Sequence, residues 1–341
     1  MSLPFKITPL RVVVGIVLGL LLTTLILYRV QSGEYILVPD RAHPLTTLVR
    51  VQGGRPVKDG GTIYYVDVFE RPARELEVLF PSLNPHATFL KASDVVPPGS
   101  NDNAVIKADE REMALSQKIA AAVALRKLGY HVVTHPNGVL VNVLDLGTSA
   151  SKKLQPADVI EAVDGVPTLT LAALRSRMTR VKPYDSVTLK VLRGAKTLSF
   201  RVRTFAVRQA PQRALIGFEP AQSAEIKLPI RVSIDLGQVG GPSAGLAFAL
   251  EVMEKLGKNV THGHQVAATG EMELDGTVGP IGGVEQKTFG VRDAGADVFL
   301  VPVGDGNVRD ARKYAGPNLK IIPVHTFAQA LHALATLPPA K

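Results

Sequence analysis

The sequence contains no cysteine among its 341 residues. This absence excludes disulfides, thiolate zinc sites, iron–sulfur clusters and any mechanism with a cysteine nucleophile, but it does not fix the cellular compartment. Charged residues make up 20% of the chain and apolar residues 46%. That balance is typical of a globular chain rather than a disordered one.

Long runs of lysine and arginine are also missing, although the formal net charge is +9. The basic residues are scattered, and aromatic residues, at 5% of the chain, are too few to interleave with them. A nucleic-acid site would cluster positive charge on one face or along one helix. The pattern therefore predicts no nucleic-acid partner and favours attraction to an anionic membrane or cell-wall surface.

Phosphate-binding and metal-binding motifs are missing as well. The only Gly-Lys pair, Gly257-Lys258, is followed by Asn259, so the sequence has no Walker A loop. His262 and His264 stand two residues apart, without a nearby carboxylate or third ligand in the sequence. We therefore predict no cofactor and no metal site.

One uncharged apolar stretch, residues 12–28, is bracketed by Arg11 and Arg29. It is at the short end for a membrane-spanning helix, and flanking arginines can extend such a helix into the interface. A cleaved signal peptide is the alternative, but residues 29–34 lack the small-x-small cleavage pattern. Because Lys6 and Arg11 favour a cytoplasmic amino terminus, we expect a single-pass lipid anchor with all later residues extracytoplasmic.

Four regions are predicted along the chain. Residues 1–30 form a cytoplasmic tail and the anchor. Residues 31–128 show short β-like runs, a turn-rich stretch at 96–103 and a helix at 109–128, which predicts a small α+β membrane-proximal domain. A mostly β domain at 129–208 and an α/β domain at 209–341 follow.

The order of elements in residues 129–208 resembles a bacterial PDZ domain, and residues 154–165 carry most of the likeness. Ala157 departs from that pattern, because the family usually has glycine there. The resemblance implies binding of a peptide's C-terminal strand at an open sheet edge, with the carboxylate held by backbone N–H groups of the preceding loop. By position, the predicted peptide-binding residues are Gly138, Val139, Leu140 and Val141. A spacer with a closed groove is the alternative.

In the last region, Ser243 lies in a glycine-rich turn at the start of a helix predicted at 244–256. Unpaired N–H groups and a positive local field at a helix start are what an oxyanion hole beside a nucleophile requires. A serine that merely caps the helix is the alternative. Lys287 falls in the first turn of a second helix, predicted at 284–294.

These motifs resemble Lon proteases when they are taken together. The likeness rests on Gly-Pro-Ser-Ala-Gly at 241–245, Thr269-Gly-Glu, the glycine-rich run at 276–283 and Lys287, and it covers roughly residues 225–305. With the PDZ-like domain and the anchor, the chain is similar to the membrane-bound PDZ–Lon proteins of bacteria.

The resemblance implies a Ser243 nucleophile and a Lys287 general base, with Thr269 supporting the lysine. The oxyanion and support residues it implies are Gly241, Pro242 and Ala244. A base must be neutral, so we expect burial and the helix terminus to depress the pKa of Lys287. ATP-dependent Lon enzymes commonly carry an aspartate three residues before the serine, and this chain has Gly240.

The sequence thus predicts an ATP-independent serine endopeptidase in the bacterial cell membrane. Its expected partners are flexible or unfolded extracytoplasmic protein segments, captured by their C-terminal tails, and other copies of the chain in a hexameric ring implied by the resemblance. A catalytically silent, membrane-tethered PDZ adaptor is the non-enzyme alternative.

Residues 241–245 also fit the nucleophile elbow of α/β-hydrolases, with Asp297 and His325 following in the required order. Against that hypothesis, the predicted strand ends near Asp235, too far before the turn. The last region is also too short for the hydrolase fold.

Overall fold

A computed structural model of the chain describes residues 8–55, 57, 61–96, 102–207, 210–237, 239–338 and 340. Lys6 and most of the turn-rich stretch predicted at 96–103 lie outside these residues. The helices are α1 (Pro9–Arg29), α2 (Glu75–Leu79), α3 (Ala92–Val95), α4 (Asp102–Lys127), α5 (Leu171–Met178), α6 (Gly245–Lys255), α7 (Val284–Ala294), α8 (Asn307–Tyr314) and α9 (Phe327–Ala335).

A short 3-10 helix, Pro81–Leu83, follows α2. The strands are β1 (Gln31–Pro39), β2 (His43–Pro44), β3 (Val49–Val51), β4 (Thr62–Tyr65), β5 (Val68–Arg74), β6 (Thr88–Lys91), β7 (Val133–Leu144), β8 (Val159–Val163), β9 (Val166–Pro167), β10 (Ser186–Arg193), β11 (Lys196–Arg203), β12 (Phe205–Val207), β13 (Ala210–Leu215), β14 (Phe218–Lys227), β15 (Val232–Ile234), β16 (Gln265–Ala268), β17 (Glu271–Met272), β18 (Val278–Gly279), β19 (Val298–Pro302) and β20 (Lys320–Val324).

The predicted apolar N-terminal helix is present as α1. None of its residues is buried against the described part of the protein. Its length and composition suffice to cross a membrane, although a signal sequence meets the same criteria. The helix is therefore compatible with the expected anchor.

The sheet that follows α1 packs against α7. Strands β5, β1 and β6 form an antiparallel sheet in that order. The Gln286 amide on α7 donates to the carbonyl of His86 (3.0 Å) and to Thr88 Oγ1 (2.8 Å). The His86 ring stacks on Phe289 with centroids 3.6 Å apart. This N-terminal sheet therefore covers the helix that carries Lys287.

A second sheet joins the two ends of the chain. Its order is β2-β4-β16-β19-β20, with β4, β16, β19 and β20 parallel. Its core combines early residues such as Ile63 and Met113 with later ones such as Phe248 and Leu300. The sequence predicted a membrane-proximal domain (31–128) separate from a protease domain (209–341). The structure instead joins these two regions, because β4 of the first pairs with β16 of the second.

The PDZ-like domain is inserted into this composite unit, between α4 and β15. Its sheet order is β11-β10-β8-β7-β14, and it has a core of its own that includes Val139, Ile160 and Leu189. The domain reaches Lys227, beyond the predicted end at residue 208, because β14 pairs with β7 from Phe218↔Leu144 to Lys227↔Val133.

Candidate active site and peptide groove

Ser243 and Lys287, from two different helices, meet at one point. The Lys287 Nζ donates to Ser243 Oγ at 2.7 Å. Ser243 precedes α6 and is partly exposed, whereas Lys287 in the first turn of α7 is only 3% exposed. The pair therefore combines a hydroxyl that substrate can reach with an amine removed from water.

The carbonyl of Ser243 is held by the segment after β16. It accepts hydrogen bonds from Gly270 N (2.7 Å) and from Thr269 Oγ1 (3.1 Å). The structure thus places Thr269 beside the serine backbone, whereas the resemblance implied support of Lys287. This contact positions the serine through its own main chain.

Helix α4 holds the residues just before the serine. Gly241 N donates to the carbonyl of Asp109 (3.0 Å), and Ser116 Oγ donates to the carbonyl of Pro242 (3.0 Å). A Cβ at Gly240 would lie 2.6 Å from Asp109 Cβ, so this position has no room for the aspartate of the ATP-dependent enzymes. The close approach of α4 accounts for this glycine.

The N–H groups of the nucleophile and of the residue after it are free to bind a substrate oxygen. Within the described ranges, no residue accepts a hydrogen bond from the N–H of Ser243 or Ala244. Gly241 has a φ of +82°, a left-handed conformation that glycine adopts without strain. Pro242 has no N–H to donate. The predicted oxyanion and support residues are therefore neighbours, but only Ser243 and Ala244 offer donors.

Burial lowers the pKa of Lys287 to about 8, and the charge of Asp67 opposes that shift. Asp67 lies between β4 and β5. Burial and the neighbouring Asp40 raise its own pKa, and its Oδ1 is buried with no hydrogen-bond partner among the described residues. The lysine site is therefore poised near neutral pH, with one carboxylate biasing it toward the charged form.

Potential metal-ligand atoms of Asp40, His43 and Asp67 lie within 4.8 Å of one another. His43 Nε2 already lies 3.1 Å from Asp40 Oδ2, and its ring stacks on Tyr65. Acidic groups of this kind are common without an ion. Asp67 is the member of this group whose charge acts on Lys287, and Asp40 and His43 act on Asp67.

The α/β-hydrolase hypothesis is not supported by the geometry. The Asp297 carboxylate pairs with His264 Nδ1 at 2.5 Å and accepts from Gln265 N. His325 is exposed, and its main chain bonds to Gln329 and Val278. Asp297 and His325 therefore serve other contacts, and the Ser243 hydroxyl is bonded to Lys287.

The predicted peptide-binding stretch, Gly138–Val141, lies inside the sheet and not at its edge. Val139 pairs with Ile160 of β8 on one side and with Gln222 of β14 on the other. A peptide has no backbone edge to join there. The stretch is an inner strand because β14, beyond the predicted end of the domain, pairs with it.

Opposite β11, the other terminal strand of this sheet within the described residues is β14. A cleft runs between it and α5, and the residues that line the cleft include Leu174, Arg175, Met178, Arg213, Ile216 and Phe218. At the far end, Gln222 Oε1 accepts from Leu171 N and its Nε2 donates to the Leu169 carbonyl. The groove between β14 and α5 therefore has an apolar floor, arginines at its rim and one closed end.

Two residues at the candidate active site were missed in the sequence. Ser116 interrupts the apolar face of α4 between Met113 and Ile119, and that interruption was a usable signal. Asp67 follows an ordinary apolar strand, and its position in the sequence gives no such signal.

Helix α4 also contacts the inserted domain. Arg111 donates to the Asn142 carbonyl (2.8 Å), and Asn142 Nδ2 donates to Glu112 (2.8 Å).

Comparison with known families agrees with the geometry. Residues 216–336 match the family model of the Lon protease (S16) C-terminal proteolytic domain, and residues 126–204 match the PDZ domain model. The predicted resemblance to PDZ-containing Lon-type proteases and the predicted fold classes are therefore confirmed. These matches support the prediction that the chain is a serine peptidase.

Similar curated proteins are Lon proteases. The chain is 32% identical to Lon protease 2 of Bacillus subtilis over 127 residues. The aligned stretch covers 37% of this chain and 21% of that protein. It is 30% identical to Lon protease 1 of Sorangium cellulosum over 130 residues, which are 35% of this chain and 16% of that protein. The chain thus spans about a fifth or less of these relatives.

Among solved structures, the PDZ domain of an SdrC-like protein from Listeria monocytogenes is similar to part of the chain. That match has 20% identity and a TM-score of 0.24, and it covers 25% of this chain and 88% of the Listeria domain.

Proposed function

We propose that the chain is a membrane-anchored serine endopeptidase that uses Ser243 as nucleophile and Lys287 as general base. The observation that carries this proposal is the 2.7 Å contact between Lys287 Nζ and Ser243 Oγ, with the lysine buried and its pKa lowered to about 8. A buried amine of this kind is neutral often enough near neutral pH to accept a proton.

In the proposed reaction, Ser243 Oγ attacks the scissile carbonyl carbon while its proton passes to the neutral Lys287 amine. The N–H groups of Ser243 and Ala244 stabilise the oxyanion that forms. Lys287 then returns the proton to the leaving amine, which breaks the C–N bond and leaves an acyl-enzyme. Water, deprotonated by Lys287, hydrolyses that ester and restores the serine.

The groove between β14 and α5 is the proposed recruiting site. A peptide added antiparallel to β14 would place its apolar side chains in the cleft beside Leu174 and Met178. Its carboxylate would end near residues 215–217, close to Arg213. This position replaces the predicted site at Gly138–Val141.

The proposed substrates are flexible or unfolded segments outside the bacterial cytoplasm. The sequence has no Walker A loop to drive unfolding. Because β1 begins two residues after α1 ends, the peptidase unit would lie at the membrane surface. The family resemblance also implies a homo-oligomeric ring, which sedimentation of the detergent-solubilised chain would test.

Labelling with a fluorophosphonate probe, together with cleavage of an unstructured peptide, tests the proposal. We expect the purified full chain to be labelled and active, and a folded Ser243→Ala variant to lose both properties. A folded wild-type protein that binds tail peptides but shows neither labelling nor cleavage would instead establish the silent adaptor.

A further inference from the structure

The short segment after β5 has an unusual distribution of polar and apolar side chains. Three large apolar side chains point outward, with Leu79 57%, Phe80 54% and Leu83 57% exposed. Glu77, in the same segment, is only 8% exposed. Water-facing loops normally show the reverse arrangement, with the carboxylate outside and the apolar groups covered.

Polar contacts inside the segment hold this arrangement. The Glu77 carboxylate accepts from Arg71 at 2.8 and 2.6 Å, from Arg74 N at 3.0 Å and from Asn84 Nδ2 at 2.9 Å. The Arg71 guanidinium and these hydrogen bonds lower the pKa of Glu77 to about 2, so it stays charged and bonded at any physiological pH. The three apolar side chains are therefore presented by a braced segment.

This segment also lies against the end of α1. Helix α2 packs on α1, and Glu75 N donates to the Val30 carbonyl (3.1 Å). The Arg74 guanidinium donates to the Tyr28 carbonyl (2.9 Å) and stacks 3.9 Å from the Tyr28 ring centroid. Leu79 ends α2, and Phe80 and Leu83 follow it, so the exposed apolar side chains come directly after the helix that packs on the end of the candidate span. Arginine and aromatic residues such as those paired there mark a membrane interface.

We propose that Leu79, Phe80 and Leu83 form a membrane foot that inserts into the outer interfacial region of the lipid bilayer. The foot would fix the peptidase unit in one orientation at the surface, beside the span. It rests on the anchor in the proposed function, but not on peptidase activity. Apolar side chains inserted at such an interface lie about 5–10 Å into the headgroup and acyl boundary.

The chain has no tryptophan, so Phe80→Trp introduces a single reporter. The full-length variant is reconstituted in phosphatidylcholine–phosphatidylglycerol vesicles, with acyl chains brominated near the headgroup in one preparation. Tyr184→Trp, at an aromatic residue 61% exposed in the PDZ-like domain, is the matched control. We expect the Phe80→Trp emission to be blue-shifted and to lose about half its intensity in brominated vesicles, as for a side chain at the acyl boundary, with the control unchanged.

Three outcomes overturn the proposal. If acrylamide quenches the emission of the Phe80→Trp variant as readily as that of the control, the foot lies in water. If the emission is blue-shifted but insensitive to bromine, the side chain at position 80 is covered by a second copy of the chain or by another protein. Failure of the full chain to float with vesicles removes the anchor and the foot together. Peptidase activity measured on the same vesicles reports separately on the proposed chemistry.

Discussion

The candidate active site and the proposed peptide groove belong to regions built in different ways. Ser243 and Lys287 lie in a composite unit, whose core joins residues such as Ile63 to Phe248, and the N-terminal sheet covers the lysine helix. The groove lies in an inserted domain with a separate core and is lined by α5, β13 and the start of β14. Chemistry and capture should therefore fail separately when a variant alters one region and leaves the contacts between the two regions intact.

One helix connects the two regions. Helix α4 contacts the nucleophile turn through Asp109 and Ser116, and it contacts β7 through Arg111 and Glu112. The inserted domain is thus bonded to the same helix that holds the serine. The comparison teaches that separate cores do not make the two regions mechanically independent, so selective variants must avoid α4.

The largest effect is expected at the dyad. Lys287→Arg keeps the charge and much of the bulk, but a guanidinium stays protonated at any usable pH. We expect cleavage of an unstructured peptide to fall by about 10³-fold or more, as in Ser243→Ala, and the double variant to be little worse, because the two residues act as one unit. Circular dichroism checks the fold. Near-normal turnover in a folded Lys287→Arg protein would remove the lysine from the mechanism.

A smaller, selective effect is expected at the groove. Arg213→Ala should raise KM about fivefold for a substrate with a free C-terminal carboxylate, because a charge-assisted contact is lost, and leave kcat unchanged. An amidated substrate should show no change. Arg180→Ala, at another exposed arginine, is the control.

Two results would contradict the proposed groove. Equal losses on the free and amidated substrates would indicate a structural role for Arg213. A selective KM effect from a folded Gly138→Leu protein would restore the inner strand as the binding edge. We expect that variant to misfold instead, because a Cβ there would overlap Val159 Cγ1 and lie 2.6 Å from the Ile160 carbonyl oxygen.

Asp67→Asn should shift the pH dependence of cleavage to lower pH. The Asp67 charge raises the pKa of Lys287, so its removal favours the neutral amine. We expect activity at pH 7 to rise about two- to threefold, with little change on the alkaline plateau. Asp94→Asn, at an exposed carboxylate, should leave the profile unchanged. A shift to higher pH would contradict this electrostatic role.

The smallest effect is expected at Ala157 in the inserted domain. Its φ of +73° is left-handed, a conformation that costs a non-glycine residue roughly 1–2 kcal/mol. Because glycine also loses more backbone entropy on folding, Ala157→Gly should stabilise the protein by about 1 kcal/mol or less in denaturant unfolding. Ala172→Gly on the exposed side of α5 should destabilise by a similar amount. Destabilisation by Ala157→Gly would show that the loop tolerates alanine without strain.

The two dyad residues were predicted from the combined resemblance of several motifs to Lon proteases, because Ser243 alone could be a helix cap and Lys287 alone an ordinary surface lysine. The same approach could not locate β14, because an edge strand is defined by its pairing, and this strand returns to β7 after the PDZ-like pattern has ended. Asp67 was also beyond prediction, since it approaches Lys287 only when β4 pairs with β16. Ser116 was missed, although a polar residue on an apolar helix face was a signal in the sequence.

The most direct test of the dyad is the pH dependence of peptide cleavage by the wild-type protein at saturating substrate. Lys287 acts as a base only when it is neutral, so the rate should rise with pH through an apparent pKa near 8 and level off above it. A midpoint near the ordinary lysine value of about 10.4, or a rate that does not rise with pH in this range, would contradict a buried Lys287 as the general base.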